Sequence, residues 1–209
     1  MVLYTGPMFS AYNTELRSKF HGDLASTSTQ ARDPKYVTTI FVIASAIVKL
    51  TRVQSIPCGL LLYRGLGADA IFPDFFYRAD GLGCKGITEP AFMSTTSKWA
   101  TAVRYSGVAN MDRPFPTVLE IHARSVDRGA NIKEFSQYHH EGEFHWTPGC
   151  FLEPTGIWEE VTEHGMLKVF QVRVNCNQKN LTIDELLSMR KSLHLQAFEL
   201  LINDVRHTS

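Results

Sequence analysis

The order of local patterns along this chain limits its fold more than any other feature. From Pro57 to Val174 short apolar runs alternate with glycine, proline and Asp/Ser turns, and one stretch among them, Lys98–Ser106, has helical character. Helical patterning precedes this region and another helix closes the chain. A βαβ protein would place a helix after each strand. Helices first, strands next and a final helix is the pattern of an α+β domain.

The local signals are specific enough to place elements. Asp33-Pro34 supplies an N-cap and a first-turn proline, and behind it Val37, Ile40, Phe41, Ala44, Ile47 and Val48 recur at helical spacing, predicting a helix with one broad buried face. Pro57 and Gly59 break the chain, and Leu60–Tyr63 reads as a strand delivering Arg64 and Gly65 at its end. Gly65 to Pro90 reads as a long excursion held by Phe72, Phe75, Phe76 and Tyr77. Ala91–Ser94 is a second short strand, and Thr95-Thr96-Ser97 can cap the Lys98–Ser106 helix. Thr117–His122 reads as a strand and Asp127-Arg128-Gly129 as a turn. From Met166 to Val174 the apolar Leu167, Val169, Val172 and Val174 predict a half-buried strand with one slip in phase, and Thr182–Glu185 is a capping box opening the last helix. Without repeats or a Gly/Ser-rich linker, the 209 residues read as one domain: a helical part over 1–56, a β core over 57–180 and a C-terminal helix over 181–209.

Composition narrows the function. The formal net charge is +0, so no nucleic-acid footprint is expected. The four cysteines, Cys58, Cys84, Cys150 and Cys176, are widely scattered with no CxxC spacing, which predicts reduced thiols. The N-terminus lacks the basic and apolar regions of a signal peptide, and the apolar run TTIFVIASAIVKL falls short of the ~20 residues of a membrane span. A cytoplasmic monomer with no membrane partner is the expectation.

The stretch SQYHHEGEFHW, Ser136 to Trp146, concentrates the chemistry. In a strand, residues i and i+2 share a face about 6.5–7 Å apart, so Glu141 and Glu143 would stand together, with His145 on their face and Phe144 and Trp146 behind. Two such carboxylates repel unless a cation lies between them. His139, His140 and His145 form no closed ligand set, so no metal is expected.

Three signals follow in order: Tyr63-Arg64-Gly65, then FMSTTSKWATAVRYSG from Phe92, then YHHEGEFHWTPG from Tyr138. Together they resemble the mono-ADP-ribosyltransferases of the arginine-serine-glutamate type, which include vertebrate ecto-enzymes and binary actin-modifying toxins. Thr96 stands where the family usually has serine, and His139-His140 occupy the turn before the glutamates. The resemblance implies a split β core of two facing sheets with the NAD cleft beside a helical N-terminal part. It implies that Arg64 grips the NAD phosphates through its planar fork and that Gly65 lets backbone reach the nicotinamide amide. It assigns Glu143 to the ribose 2′-hydroxyl and the oxocarbenium-like charge, with Ser94 holding that glutamate and Thr95 and Thr96 supporting it. Tyr105 is either a nicotinamide-stacking ring or a core aromatic, and Glu141, with Tyr138 beside it, would receive the acceptor. Glu-x-Glu implies an arginine acceptor on a target protein. Hydrolysis of NAD, or a catalytically silent binding module, are the alternatives.

Overall fold

The computed structural model describes residues 2–20, 36–67, 71–109, 116–124, 127–162, 165–176 and 183–208. Its helices are α1 (Val2–Thr5), α2 (Phe9–Phe20), α3 (Val37–Val53), α4 (Asp74–Tyr77), α5 (Trp99–Ser106) and α6 (Ile183–Thr208). Its strands are β1 (Leu61–Leu66), β2 (Ile87–Glu89), β3 (Met93–Thr96), β4 (Thr117–His122), β5 (Ala130–Asn131), β6 (Glu143–Trp146), β7 (Cys150–Thr162) and β8 (Gly165–Asn175). The mixed α+β class expected from the order of patterns is the class observed. Among the described residues no helix is long and apolar enough to cross a membrane.

The strands hydrogen-bond in the order β2-β7-β8-β4-β1-β3-β6-β5. Neighbours are antiparallel except β4 and β8, which run parallel. All eight strands form one sheet, and the two halves expected as separate sheets meet within it at a narrow joint. Strand β1 matches β4 along its whole length, and β3 matches β6 along its whole length, but β1 and β3 share the single pair Tyr63↔Thr96. That narrow joint lets the ladder diverge beside Arg64 and Ser94.

Burial explains the apparent slip in β8. Phe170, Val172 and Val174 belong to the main core with Leu62, Leu119, Ile121 and Phe144, whereas Leu167 and Val169 pack with Ala102 of α5 and Val118. Odd and even residues of a strand face opposite ways, so the buried face changes along β8 while its pleat continues unbroken. Strand β7, opposite, carries an irregularity between Pro154 and Gly156.

The helical N-terminal part forms its own cluster. Tyr4, Tyr12, Ile43 and Ile47 pack with Phe92, Ala130 and Ile132, which ties α1, α2 and α3 to the β3 and β5 end of the sheet. One expectation for α3 needs correction: Phe41 is 70% exposed and Val37 48% exposed, and the buried stripe runs through Ile43, Ile47 and Thr51 instead. An apolar residue at helical spacing is compatible with several stripe rotations, and packing chose the one that omits Phe41. The Asp33-Pro34 cap and Thr182 of the capping box lie outside the described residues.

Boundaries moved where tertiary pairing extends a strand. Strand β1 runs to Leu66, so Arg64 and Gly65 sit inside the ladder rather than after it. The N-cap of α5 is Lys98, whose backbone N–H donates to Thr96 Oγ1 at 3.0 Å. The scattered cysteines also meet: Cys150 and Cys176, at adjoining ends of β7 and β8, place their Sγ atoms 3.5 Å apart in the core.

Candidate active site

Strands β1, β3 and β6 with helices α1, α2 and α5 enclose a cleft of about 430 Å³. Its walls include Tyr63, Arg64 and Gly65 from β1, Ser94, Thr95 and Thr96 from β3, Tyr105 from α5, and Tyr138, Glu141 and Glu143 from the stretch ahead of and into β6. The residues singled out in the sequence thus converge on one cavity, although up to 80 positions separate them.

Glu143 is the most constrained of them. It opens β6, and its side chain is 12% exposed. Ser94 Oγ donates to its Oε1 at 2.6 Å, Ser136 Oγ donates to its Oε2 at 2.8 Å, and His145 Nε2 lies 2.6 Å from Oε1. Burial on its own raises this carboxyl group. The hydrogen bond and charge of His145, then the serine donors, more than reverse that and hold Glu143 below the usual carboxylate range. The result is a negative charge fixed in a largely dry wall, where it acts strongly on any positive charge developing nearby.

Glu141 does not stand on the strand. It ends a 3-10 turn, His139–Glu141, and Gly142 follows in the left-handed region at φ 60°. The i, i+2 geometry expected for the two glutamates is therefore replaced by a turn that brings Glu141 to the same cleft from another direction. Thr96 Oγ1 holds the Glu141 carbonyl. The Glu141 carboxylate receives Arg104 Nη2 at 2.7 Å and the Tyr105 hydroxyl at 2.9 Å through Oε1. Burial, then the bond to Glu141, push the Tyr105 phenol up. Tyr105 is 50% exposed, which removes the core reading of that residue.

Arg64 donates through Nη1 to the Ser94 carbonyl at 2.9 Å, and its Nη2 lies 4.0 Å from Glu89. Burial pulls the pKa of Arg64 down and the Glu89 charge opposes that, but a guanidinium stays protonated at neutral pH. Glu89 also takes Arg17 Nε and Nη2 from α2, so one carboxylate lies between two guanidinium groups, of which Arg64 lines the cleft.

Gly65 has a reason the sequence did not disclose. A Cβ there would lie 2.2 Å from the Ala102 carbonyl oxygen and 2.5 Å from the Ser106 nitrogen. Strand and helix touch backbone to backbone, which sets α5, with Arg104 and Tyr105, against the cleft. Gly65→Ala should therefore destabilise the protein by about 1–3 kcal/mol. Urea unfolding measures this, and an unchanged midpoint would show that α5 does not sit against β1 in this way.

No family model matches the sequence, and no curated protein does. Solved structures do resemble the chain. ADP-ribosyltransferase HopU1 of Pseudomonas syringae pv. Tomato DC3000 is 25% identical with a TM-score of 0.54, over 79% of this chain and 65% of that one. The C3 exoenzyme of Clostridium limosum is 15% identical with a TM-score of 0.57, over 83% of this chain and 82% of that one. The ADP-ribosyltransferase Vis of Vibrio splendidus, in complex with agmatine, is 21% identical with a TM-score of 0.52, over 87% of this chain and 78% of that one. The fold is that of the ADP-ribosyltransferases.

Within the ADP-ribosyltransferase fold, the two threonines after Ser94 serve the frame more than the cavity. Thr95 Oγ1 donates to the Phe144 carbonyl at 3.1 Å and accepts from Trp146 Nε1 at 3.0 Å. Thr96 anchors Glu141, as above. Both hydroxyl groups are thus engaged within the protein, which fits support of the carboxylates better than direct cofactor contact. Tyr138 is half exposed on the rim, its N–H donating to Ser136 Oγ at 3.0 Å.

Several residues in or behind the cleft wall carried no readable signal. Ser136 precedes Glu143 by seven residues in a turn, and nothing in its surroundings marks it as a carboxylate donor. Tyr4 and Asn13 come from α1 and α2, where the Asn13 side-chain amide donates to the Tyr4 hydroxyl at 3.1 Å and Asn13 Oδ1 accepts the Phe92 N–H at 3.2 Å. Burial pushes the Tyr4 phenol up to about 12. The mid-chain apolar pattern could not reveal that the first two helices close this cavity. Among the described residues no group of three His, Cys, Asp or Glu side chains could hold a metal ion.

Proposed function

We propose that this chain transfers a single ADP-ribose from NAD to an arginine side chain of a target protein, releasing nicotinamide. The observation that carries the reading is the pair of differently prepared carboxylates in one cleft. Glu143 is mostly buried and held charged by three donors, which suits a group that faces an oxocarbenium-like ribose. Glu141 already accepts a guanidinium, that of Arg104, at 2.7 Å, which suits a group that orients and deprotonates an acceptor guanidinium. That Vis is solved with agmatine, a guanidinium compound, supports the same reading.

The residues divide the work by charge. Arg64 offers a rigid cationic fork for phosphate oxygens, and its bond to the Ser94 carbonyl fixes the fork relative to Glu143. Ser94 and Ser136 keep the Glu143 carboxylate aimed into the cleft. As the bond from ribose to nicotinamide breaks, Glu143 stabilises the positive charge left on the ribose. Glu141 then takes a proton from the acceptor nitrogen as that nitrogen bonds to the ribose carbon.

Incubation with NAD and agmatine tests this. ADP-ribosylated agmatine supports the proposal, ADP-ribose alone points to a hydrolase, and no nicotinamide release points to a silent module. A related expectation concerns Arg64→Lys. Lysine keeps the charge but loses the fork, so the fold should persist while NAD affinity falls about tenfold or more. Calorimetric titration measures it, and unchanged affinity with a normal melting temperature would count against the assignment.

A further inference from the structure

We propose that His145 is the positioning residue of Glu143, holding the charge and direction of that carboxylate through its Nε2–H. The inference rests on the reading of Glu143 as the ribose-facing group. Both residues stand on one face of β6, and His145 pairs across the ladder with Ser94, the other donor to the same oxygen. Glu143 Oε1 is thus gripped from two adjacent strands, each donor at 2.6 Å.

The surroundings of His145 leave it one use. It is 0% exposed, and its ring packs T-shaped with Tyr4 of α1 at a centroid distance of 4.6 Å and an interplanar angle of 82°. Its Nδ1 is buried with no hydrogen-bond partner among the described residues. An unpartnered polar nitrogen is a cost that an apolar side chain of similar size would avoid. Packing therefore does not account for an imidazole here. A carboxylate only accepts, so Nε2 must carry the proton, and donation to Glu143 is the polar contact this ring makes. Among the described charged and titratable groups, Glu141 and Arg64 line the same cleft as Glu143, and Tyr4 of α1 feels the charges of Glu143, Arg64 and Arg17. Of these, Tyr4 covers the ring and directs its own hydroxyl to Asn13, not to Glu143.

Without the imidazole, two serine hydroxyls would remain to hold a buried charge. The carboxylate would then protonate more readily and sample other directions.

Three measurements test this. In ¹⁵N-labelled wild type, NMR should show the His145 proton on Nε2 in a short bond; a proton on Nδ1 facing a bare Nε2 would overturn the proposal. His145→Leu keeps the bulk and removes the donor. Nicotinamide release should then lose about 10- to 100-fold in kcat with KM for NAD little changed, and the acid limb of its pH profile should move to higher pH. His145→Gln keeps a donor near the Nε2 position and should recover most of the rate. If the leucine variant kept wild-type kcat and acid limb, or the glutamine variant fell as far as leucine, the positioning role would be wrong. Should the leucine variant fail to fold, the glutamine variant and the ¹⁵N spectrum still decide. Wild type that released no nicotinamide would sink the transferase reading, whereas the ring tautomer is read without NAD.

Discussion

Glu143→Gln should lower nicotinamide release by about 10²- to 10³-fold, in the presence or absence of an acceptor. The amide matches the carboxylate in size. Its oxygen can take the place of Oε1 before Ser94 and His145, and its NH₂ can meet Ser136, whose hydroxyl can turn to accept. The frame should therefore survive, and the loss would report the charge. Rapid separation of nicotinamide from NAD measures it, with a melting curve as control for folding. Near-normal release would remove Glu143 from the chemistry.

The same variant carries a pH signature. Because Glu143 is held below the usual carboxylate range, its charge contributes stability that is present above the unfolded-state value. That contribution is lost as pH falls through the lower folded value. Wild type should thus lose more stability on acidification than Glu143→Gln, which has no proton to gain there.

Glu141→Gln should separate the two half-reactions. Arginine modification should drop by about 10²-fold or more, the usual worth of a positioned base, while NAD cleavage persists. A glutamine oxygen can still accept from Arg104 and Tyr105, and Thr96 still holds the backbone carbonyl, so the turn should keep its shape. What disappears is the negative charge that draws a proton from the acceptor. Water then takes the ADP-ribose. Nicotinamide and ADP-ribosylated agmatine, quantified in parallel for both proteins, decide the matter. A proportional fall in the two products would mean that the glutamates act as one unit. Intact transfer to agmatine would put arginine preference elsewhere, with Tyr138 on the rim and His139 and His140 in the turn after it next in line.

Much of this architecture was readable from local pattern. Strand β4 falls on the expected residues Thr117–His122, and the helix after Ser94 is one residue shorter than expected. Strand alternation in EFHW correctly sends Phe144 and Trp146 into the core and leaves His145 beside Glu143. These features depend on residues one to four positions apart, and spacing of that kind is written directly in the sequence. The three motifs were also legible, since their order along the chain survives folding unchanged.

Tertiary structure alone decided the rest. Glu141 leaves the strand because Gly142 turns in the left-handed region, and alternation cannot anticipate a turn that glycine merely permits. Arg104 on Glu141 and Ser136 on Glu143 are side-chain contacts set by how α5 and the turn pack. Gly65 admits α5 by lacking a Cβ, a requirement visible only with Ala102 and Ser106 in place. Cys150 and Cys176 meet because β7 and β8 pair, although their spacing suggested no relation. Tyr4 covers His145 because a cluster including Ile43, Ile47 and Phe92 docks the N-terminal helices onto the sheet. In each instance the deciding partner is distant along the chain, and no periodicity connects the two. Hydrophobic burial determines which surfaces meet, and only then do charge and hydrogen bonding select what the cleft can do.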